Sequence, residues 1–244
     1  MKQLSRPSEA RVVVFDIDGV LINSADSILA QAKYWLKHIR NREMTATDLR
    51  RAQRVFSETG DPHISLQRIL QCSDDEWDAN KEQFLKIHND GFQLLKSRML
   101  PYDGAVQLVL DLSSSKKVAA FTTRKRDFFD SATCPQLIPP PTASTLENID
   151  GLFHTTVTAD DVSQIKPHPE GLYTIAKRLG VKPQEMVLIG DSPTDIIAGN
   201  KAGSATIAIV HPHSFANKIL LSHEKPDHFA QSIDDLRALL TNQA

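Results

Sequence analysis

The stretch Val12-Val13-Val14-Phe15-Asp16-Ile17-Asp18-Gly19-Val20-Leu21 sets four large apolar side chains in a row, then two aspartates one residue apart, then a glycine. A continuous β-branched and aromatic run has no polar face, as in strands of parallel sheets covered on both sides. The carboxylates fall where such a strand ends. Like charges that close raise each other's energy unless a cation or a proton meets them. Asp-x-Asp-Gly is also a common turn, since both residue types favour turns. The rest of the chain decides between a turn, a metal site and half of a reaction centre.

Working outward, residues 24–97 read as helical throughout. Ser24 can cap a first helix through Ile28, Leu29, Ala32, Trp35, Leu36 and Ile39. A second runs through Leu49, Ala52, Val55 and Phe56 until Thr59-Gly60-Asp61-Pro62 breaks it, and further amphipathic stretches cover Ile64–Leu70 and Glu76–Leu95. Beyond Pro101 the pattern alternates. Helices are expected at Ala105–Leu112, Pro169–Leu179, from Pro193 to about Ala202, and at Asp234–Leu240. Strands are expected at Lys117–Phe121, within Ile149–Val157, at Glu185–Gly190 and at Ala205–Val210. Such alternation predicts an α/β fold with a doubly wound parallel sheet, built from residues 1–23 and 98–244, with 24–97 inserted as an all-helical unit. The Pro-rich stretch Asp130–Asn148 suits neither a regular helix nor a central strand and reads as a long loop without an assigned role.

Composition narrows the class. The 244 residues are 41% hydrophobic and 24% charged with a formal net charge of −2, which fits a globular protein and gives no basic stripe for nucleic acid. Cys72 and Cys134 are the two cysteines, too far apart in sequence for a C-x-x-C motif, so a reducing, cytoplasmic setting is expected. No apolar stretch reads as a signal peptide or a membrane span.

Ligands of open α/β sheets bind beyond the carboxyl ends of the strands. Four spots fall there or between strands: Asp16 with Asp18, Thr122 with Thr123, Lys166, and Gly190-Asp191-Ser192-Pro193-Thr194-Asp195. Singly, each has a plain structural reading. The threonines would cap a helix, the lysine would be solvated, and Ser192 with Asp195 would form a capping box. Together, Asp16, Asp18, Asp191 and Asp195 make an oxygen-rich site suited to Mg²⁺, while Thr122 and Lys166 suit a phosphoryl group. Metal, carboxylate nucleophile and cationic clamp are the equipment of phosphoryl transfer.

On these motifs the chain resembles the haloacid dehalogenase superfamily, specifically the subgroup with a helical cap that includes phosphoglycolate phosphatase and β-phosphoglucomutase. Phe15-Asp16-Ile17-Asp18-Gly19-Val20-Leu21, Phe121-Thr122-Thr123, Lys166-Pro167-His168-Pro169-Glu170 and the Gly190–Gly203 segment stand in the order of its four motifs. The resemblance implies that Asp16 attacks phosphorus and that Asp18 is the acid and base. It implies Mg²⁺ held by Asp16, the Asp18 carbonyl, Asp191 and Asp195, and phosphoryl oxygens held by Thr122, Thr123 and Lys166. The retained second aspartate points to phosphate rather than halide chemistry. The expected activity is hydrolysis of a small-molecule phosphate monoester; a sugar phosphomutase of the β-phosphoglucomutase type is the alternative, with a non-enzymatic binding protein behind both. His63 and Arg68 are candidates for contacting substrate from the cap, and each also fits a solvated helix face. His211-Pro212-His213 reads as a loop rather than a metal site.

Overall fold

The structure is a computed structural model that describes residues 4, 6–59, 61–95, 99–126, 152–212, 214–216 and 218–241. The Pro-rich 130–148 stretch, Gly60, Cys134 and His213 lie outside the described residues. In chain order the strands are β1 (Val12–Phe15), β2 (Ile22–Asn23), β3 (Leu100–Pro101), β4 (Lys117–Phe121), β5 (Thr155–Val157), β6 (Met186–Gly190), β7 (Ala205–Ile209) and β8 (His228–Ala230). The α-helices are α1 (Ala25–Arg40), α2 (Ala46–Glu58), α3 (Pro62–Leu70), α4 (Asp74–Leu95) and α5 (Ala105–Ser113). They continue as α6 (Glu170–Leu179), α7 (Pro193–Ala202), α8 (Lys218–Ser222) and α9 (Ile233–Thr241).

Six strands form one parallel sheet in the order β5-β4-β1-β6-β7-β8. β1 takes the middle because its four side chains need apolar neighbours on both faces, and all four are fully buried. Val13 and Phe15 pack with Leu108 and Leu112 of α5 and Leu236 and Leu240 of α9. Val12 and Val14 face the other way, against Leu172 and Ile175 of α6 and Ala198 of α7. Burying each such side chain contributes about 1.5–3 kcal/mol.

Helices α1–α4 have an apolar cluster of their own, centred on Trp35, Leu36, Val55, Leu66, Ile69 and Phe84. Buried Asp48 ties this unit together: its carboxylate accepts from the Thr45 backbone N–H and hydroxyl at the start of α2 and from Arg42 and Arg51. Thr45 and Asp61 cap α2 and α3. Ser24 does not cap α1. Its backbone is already helical (φ −99°, ψ −11°), so the hydroxyl cannot turn back onto the first-turn N–H groups.

The two crossings between the units were not anticipated as strands. β2 and β3 pair antiparallel, Ile22 with Pro101 and Asn23 with Leu100, and two residues are too few to show alternation. The edge strand β8 escaped notice for the same reason. No helix among the described residues is long and apolar enough to cross a membrane.

Candidate active site

Asp16 stands one residue past β1, and its backbone N–H still bonds the Ile189 carbonyl at 2.9 Å. The sheet ladder therefore holds the nucleophile candidate in place. Asp191 follows β6 directly, and Asp195 sits in the first turn of α7, fully buried. Carboxylate oxygens of Asp16, Asp191 and Asp195 lie within 4.8 Å of one another. Gly19 turns the chain beside them with φ +74°, and a Cβ there would meet Asp191 Oδ2 at 1.9 Å. Only glycine fits that approach.

Lys166 reaches in from the turn before α6, through a cis peptide to Pro167. The turn is tied to its helix by Glu170, whose carboxylate accepts the Ser163 and Gln164 N–H groups at 2.9 Å each. The buried Lys166 Nζ lies 2.8 Å from Asp16 Oδ1, 2.7 Å from Asp195 Oδ1 and 3.0 Å from the Phe121 carbonyl oxygen. All three ammonium protons are thus used. Burial works against this charge, and the carboxylates of Asp16 and Asp195 outweigh it, so the pKa is held above its ordinary value. Burial, with repulsion from Asp195 and Asp18, pushes Asp16 up to about 7 despite Lys166. Burial and the charges of Asp16 and Asp195 push Asp191 well above the usual carboxylate range. These carboxylates need a further positive charge to ionise together, and their hard oxygens fit a divalent cation such as Mg²⁺. Asp195 is the most committed of the three: beyond Lys166, its Oδ2 accepts the Ser192 hydroxyl at 2.6 Å and the Ser192 N–H at 3.2 Å. The expected capping box is present, Ser192 Oγ accepting from the Asp195 N–H.

Thr122 is buried beside the Phe121 carbonyl, its hydroxyl accepting the Arg124 N–H at 3.1 Å. Thr123 lines the cavity that separates the sheet edge from the helical unit, a space of about 1030 Å³ that Asp16, Asp18, Lys166 and Asp191 also line. His63 lines it from α3. Arg68 does not; its guanidinium pairs with Glu58, both side chains partly exposed. His63 and Arg68 are five residues apart, about 140° around the helix, so one face cannot present both. His211 stacks on Tyr102, centroids 3.6 Å apart, as part of the packing.

Sequence reasoning missed Arg124. Its Nε and Nη2 grip the two Asp18 carboxylate oxygens in a bidentate pair, Nη2 also contacts Met99 Sδ at 3.4 Å, and the guanidinium carbon lies 5.9 Å from the Phe92 ring centroid of α4. Its position two residues beyond Thr122, in a loop at a strand's carboxyl end, was the available signal.

A doubly wound parallel sheet with acids and a buried lysine at its carboxyl edge, and a helical insert across the cavity from that edge, sets the class of fold. The chain belongs to the haloacid dehalogenase-like hydrolases, whose family model matches residues 13–209. It is 27% identical over 231 residues to the pyrophosphatase PpaX of Bacillus mycoides, covering 94% of this chain and 96% of the relative. A Lactobacillus plantarum structure assigned to phosphoglycolate phosphatase superposes with a TM-score of 0.73 at 21% identity, covering 94% of this chain and 99% of that one. A Thermotoga maritima structure assigned to β-phosphoglucomutase gives 0.64 at 18%, covering 95% and 97%. These last two likenesses concern the fold.

Proposed function

We propose that the chain is a Mg²⁺-dependent phosphatase that hydrolyses a small-molecule phosphate monoester through a phosphorylated Asp16. The observation that carries this reading is Lys166, clamped at 2.7–2.8 Å between Asp16 and Asp195 in a buried site. In the first half, an Asp16 oxygen bonds to phosphorus while the bond to the ester oxygen breaks, and Asp18, protonated and freed from its pair with Arg124, gives that oxygen its proton. In the second, water bonds to phosphorus, its proton passes to Asp18, and the bond to Asp16 breaks to release phosphate. Lys166 favours the ionised form of Asp16 and, with the Thr122 and Thr123 loop, holds the phosphoryl oxygens. Asp16, Asp191 and the Asp18 carbonyl would hold Mg²⁺, with Asp195 direct or through water; bound there, the cation polarises the phosphoryl group and offsets its charge. Residues 24–97 serve as the cap that keeps bulk water out, and the protein works in the cytoplasm.

The test is inorganic phosphate release over a panel of phosphate esters, with pyrophosphate included because of the Bacillus relative's name, with and without Mg²⁺. Asp16→Asn should abolish release, and Asp18→Asn should leave phosphoenzyme visible by intact mass. Normal release by Asp16→Asn would overturn the reading. A mutase would show no stoichiometric phosphate under multiple turnover.

A further inference from the structure

The cavity over Asp16 has two walls of unlike chemistry. Among the described residues its cationic lining is Lys166, Arg124 and Lys125, all on the sheet side, and the first two are committed to ion pairs with Asp16 and Asp18. The cap wall brings no described lysine or arginine, and it does bring Asp61. In place of cations runs a string of rings. Phe215, from the chain after β7, lies 5.5 Å from Phe56 of α2; Phe56 lies 6.1 Å from Trp35 of α1; Trp35 lies 5.5 Å from His88 of α4. All four line the cavity.

Among the described residues of this wall, two polar atoms lack a hydrogen-bond partner. Trp35 Nε1 and His88 Nδ1 are buried with no hydrogen bond, although Trp35 as a whole is only 2% exposed. Buried polar atoms are nearly always satisfied in native proteins, so an orphaned pair beside a cavity points to a ligand that completes them. Burial, with the nearby His63 and Arg124, holds the His88 pKa down to about 4, so this ring is neutral at pH 7. A leaving group with a second negative charge would lose its water against neutral rings and an aspartate, which is unfavourable. A flat neutral ring would stack on the half-buried Phe56 and Phe215. A small shift of this wall would let the ring's polar edge reach Trp35 Nε1 and His88 Nδ1, which are closed off in this structure.

We infer that the substrate is a phosphate monoester of an uncharged alcohol bearing a flat ring with hydrogen-bonding edges, of the nucleoside monophosphate kind, its ring held by Trp35 and His88. The inference rests on the phosphatase reading of Asp16 and Lys166 and adds the identity of the leaving group. The space of about 1030 Å³ accommodates it.

The experiment measures kcat/KM of the full chain with Mg²⁺ for inosine 5′-monophosphate, phenyl phosphate, 2-phosphoglycolate and pyrophosphate. The two ring esters should exceed the two acids by about tenfold or more, the range stacking on an aromatic wall supplies. Inosine ahead of phenyl supports a nucleoside-type ring with polar edges; phenyl ahead would overturn that assignment. Trp35→Phe keeps a ring and removes the N–H, so it should raise KM for inosine monophosphate more than for phenyl phosphate. Independently of turnover, inosine alone should quench the tryptophan fluorescence, and Trp35→Phe should remove that quench. Phosphate release that favours pyrophosphate or phosphoglycolate would overturn this inference and leave the phosphatase reading standing. No release from any compound would overturn both.

Discussion

Gly19→Ala tests whether the turn after Asp18 exists to admit Asp191. The alanine would have to hold φ near +74°, which costs an L-residue about 1–2 kcal/mol. Its Cβ would start 1.9 Å from Asp191 Oδ2. Ordinary contact is about 3.5 Å, so the carboxylate must retreat by roughly 1.5 Å. Displacing a positioned group by about 1 Å can cost on the order of 100-fold in rate. The strain alone lowers the melting temperature by about 2–8 °C for a chain of this size. Gly180→Ala supplies the control, because Gly180 has φ +65° with nothing within 4 Å of an added Cβ. Both variants should lose similar stability by thermal melting. Only Gly19→Ala should lose phosphate release and need about tenfold more Mg²⁺ for half-maximal rate, given what a displaced metal-site group costs in affinity. Equal turnover and equal Mg²⁺ dependence in the two variants would refute the reasoning.

Lys166→Met should reduce turnover by about 10³-fold, and Lys166→Arg should not restore it, because a planar fork cannot meet the three acceptors around Nζ. Activity of either variant within tenfold of wild type would contradict the clamp. Asp48→Asn should destabilise the protein by about 2 kcal/mol in urea melts, low for a buried charge because its partner Arg42 is partly exposed. His88, with its folded pKa near 4 against an ordinary 6.5, favours the folded state fully above pH 6.5 and less as pH falls toward 4. That difference is about 3 kcal/mol at most. Urea melts at pH 7.5 and 5 should therefore differ less for His88→Gln than for wild type, and an unchanged difference would exclude His88 as the source.

What could be read from the chain was whatever local pattern dictates. β1, β4, β6 and β7 are short apolar runs buried on both faces, so the polar residues at their ends stood out as Asp16, Thr122 and Asp191. The Ser192–Asp195 capping box is likewise a matter of nearest neighbours. Arg124 was hidden because its meaning lies in a partner 106 positions away, brought near by the β1–β4 register. The ring wall was hidden for a related reason. Trp35 and Phe56 look like ordinary apolar helix positions and His88 like any polar one, and only the packing of three helices sets them along one cavity. Arg68 misled because helical spacing alone does not say which face meets the sheet.

The central place of β1 also bears on how the protein is made. β1 precedes both of its neighbours by more than a hundred residues, pairing with Lys117 onward on one side and Met186 onward on the other. At roughly 5–20 residues per second, translation leaves Val12–Phe15 without its first partner strand for about 5–20 s. Helices α1–α4 are synthesised during that interval and can collapse on their own apolar cluster while β1 is still unpaired. An unpaired Val-Val-Val-Phe segment is sticky, and non-local parallel pairing is slow. Yield of native protein should therefore respond to slower synthesis at lower temperature and to chaperones that shield a nascent strand.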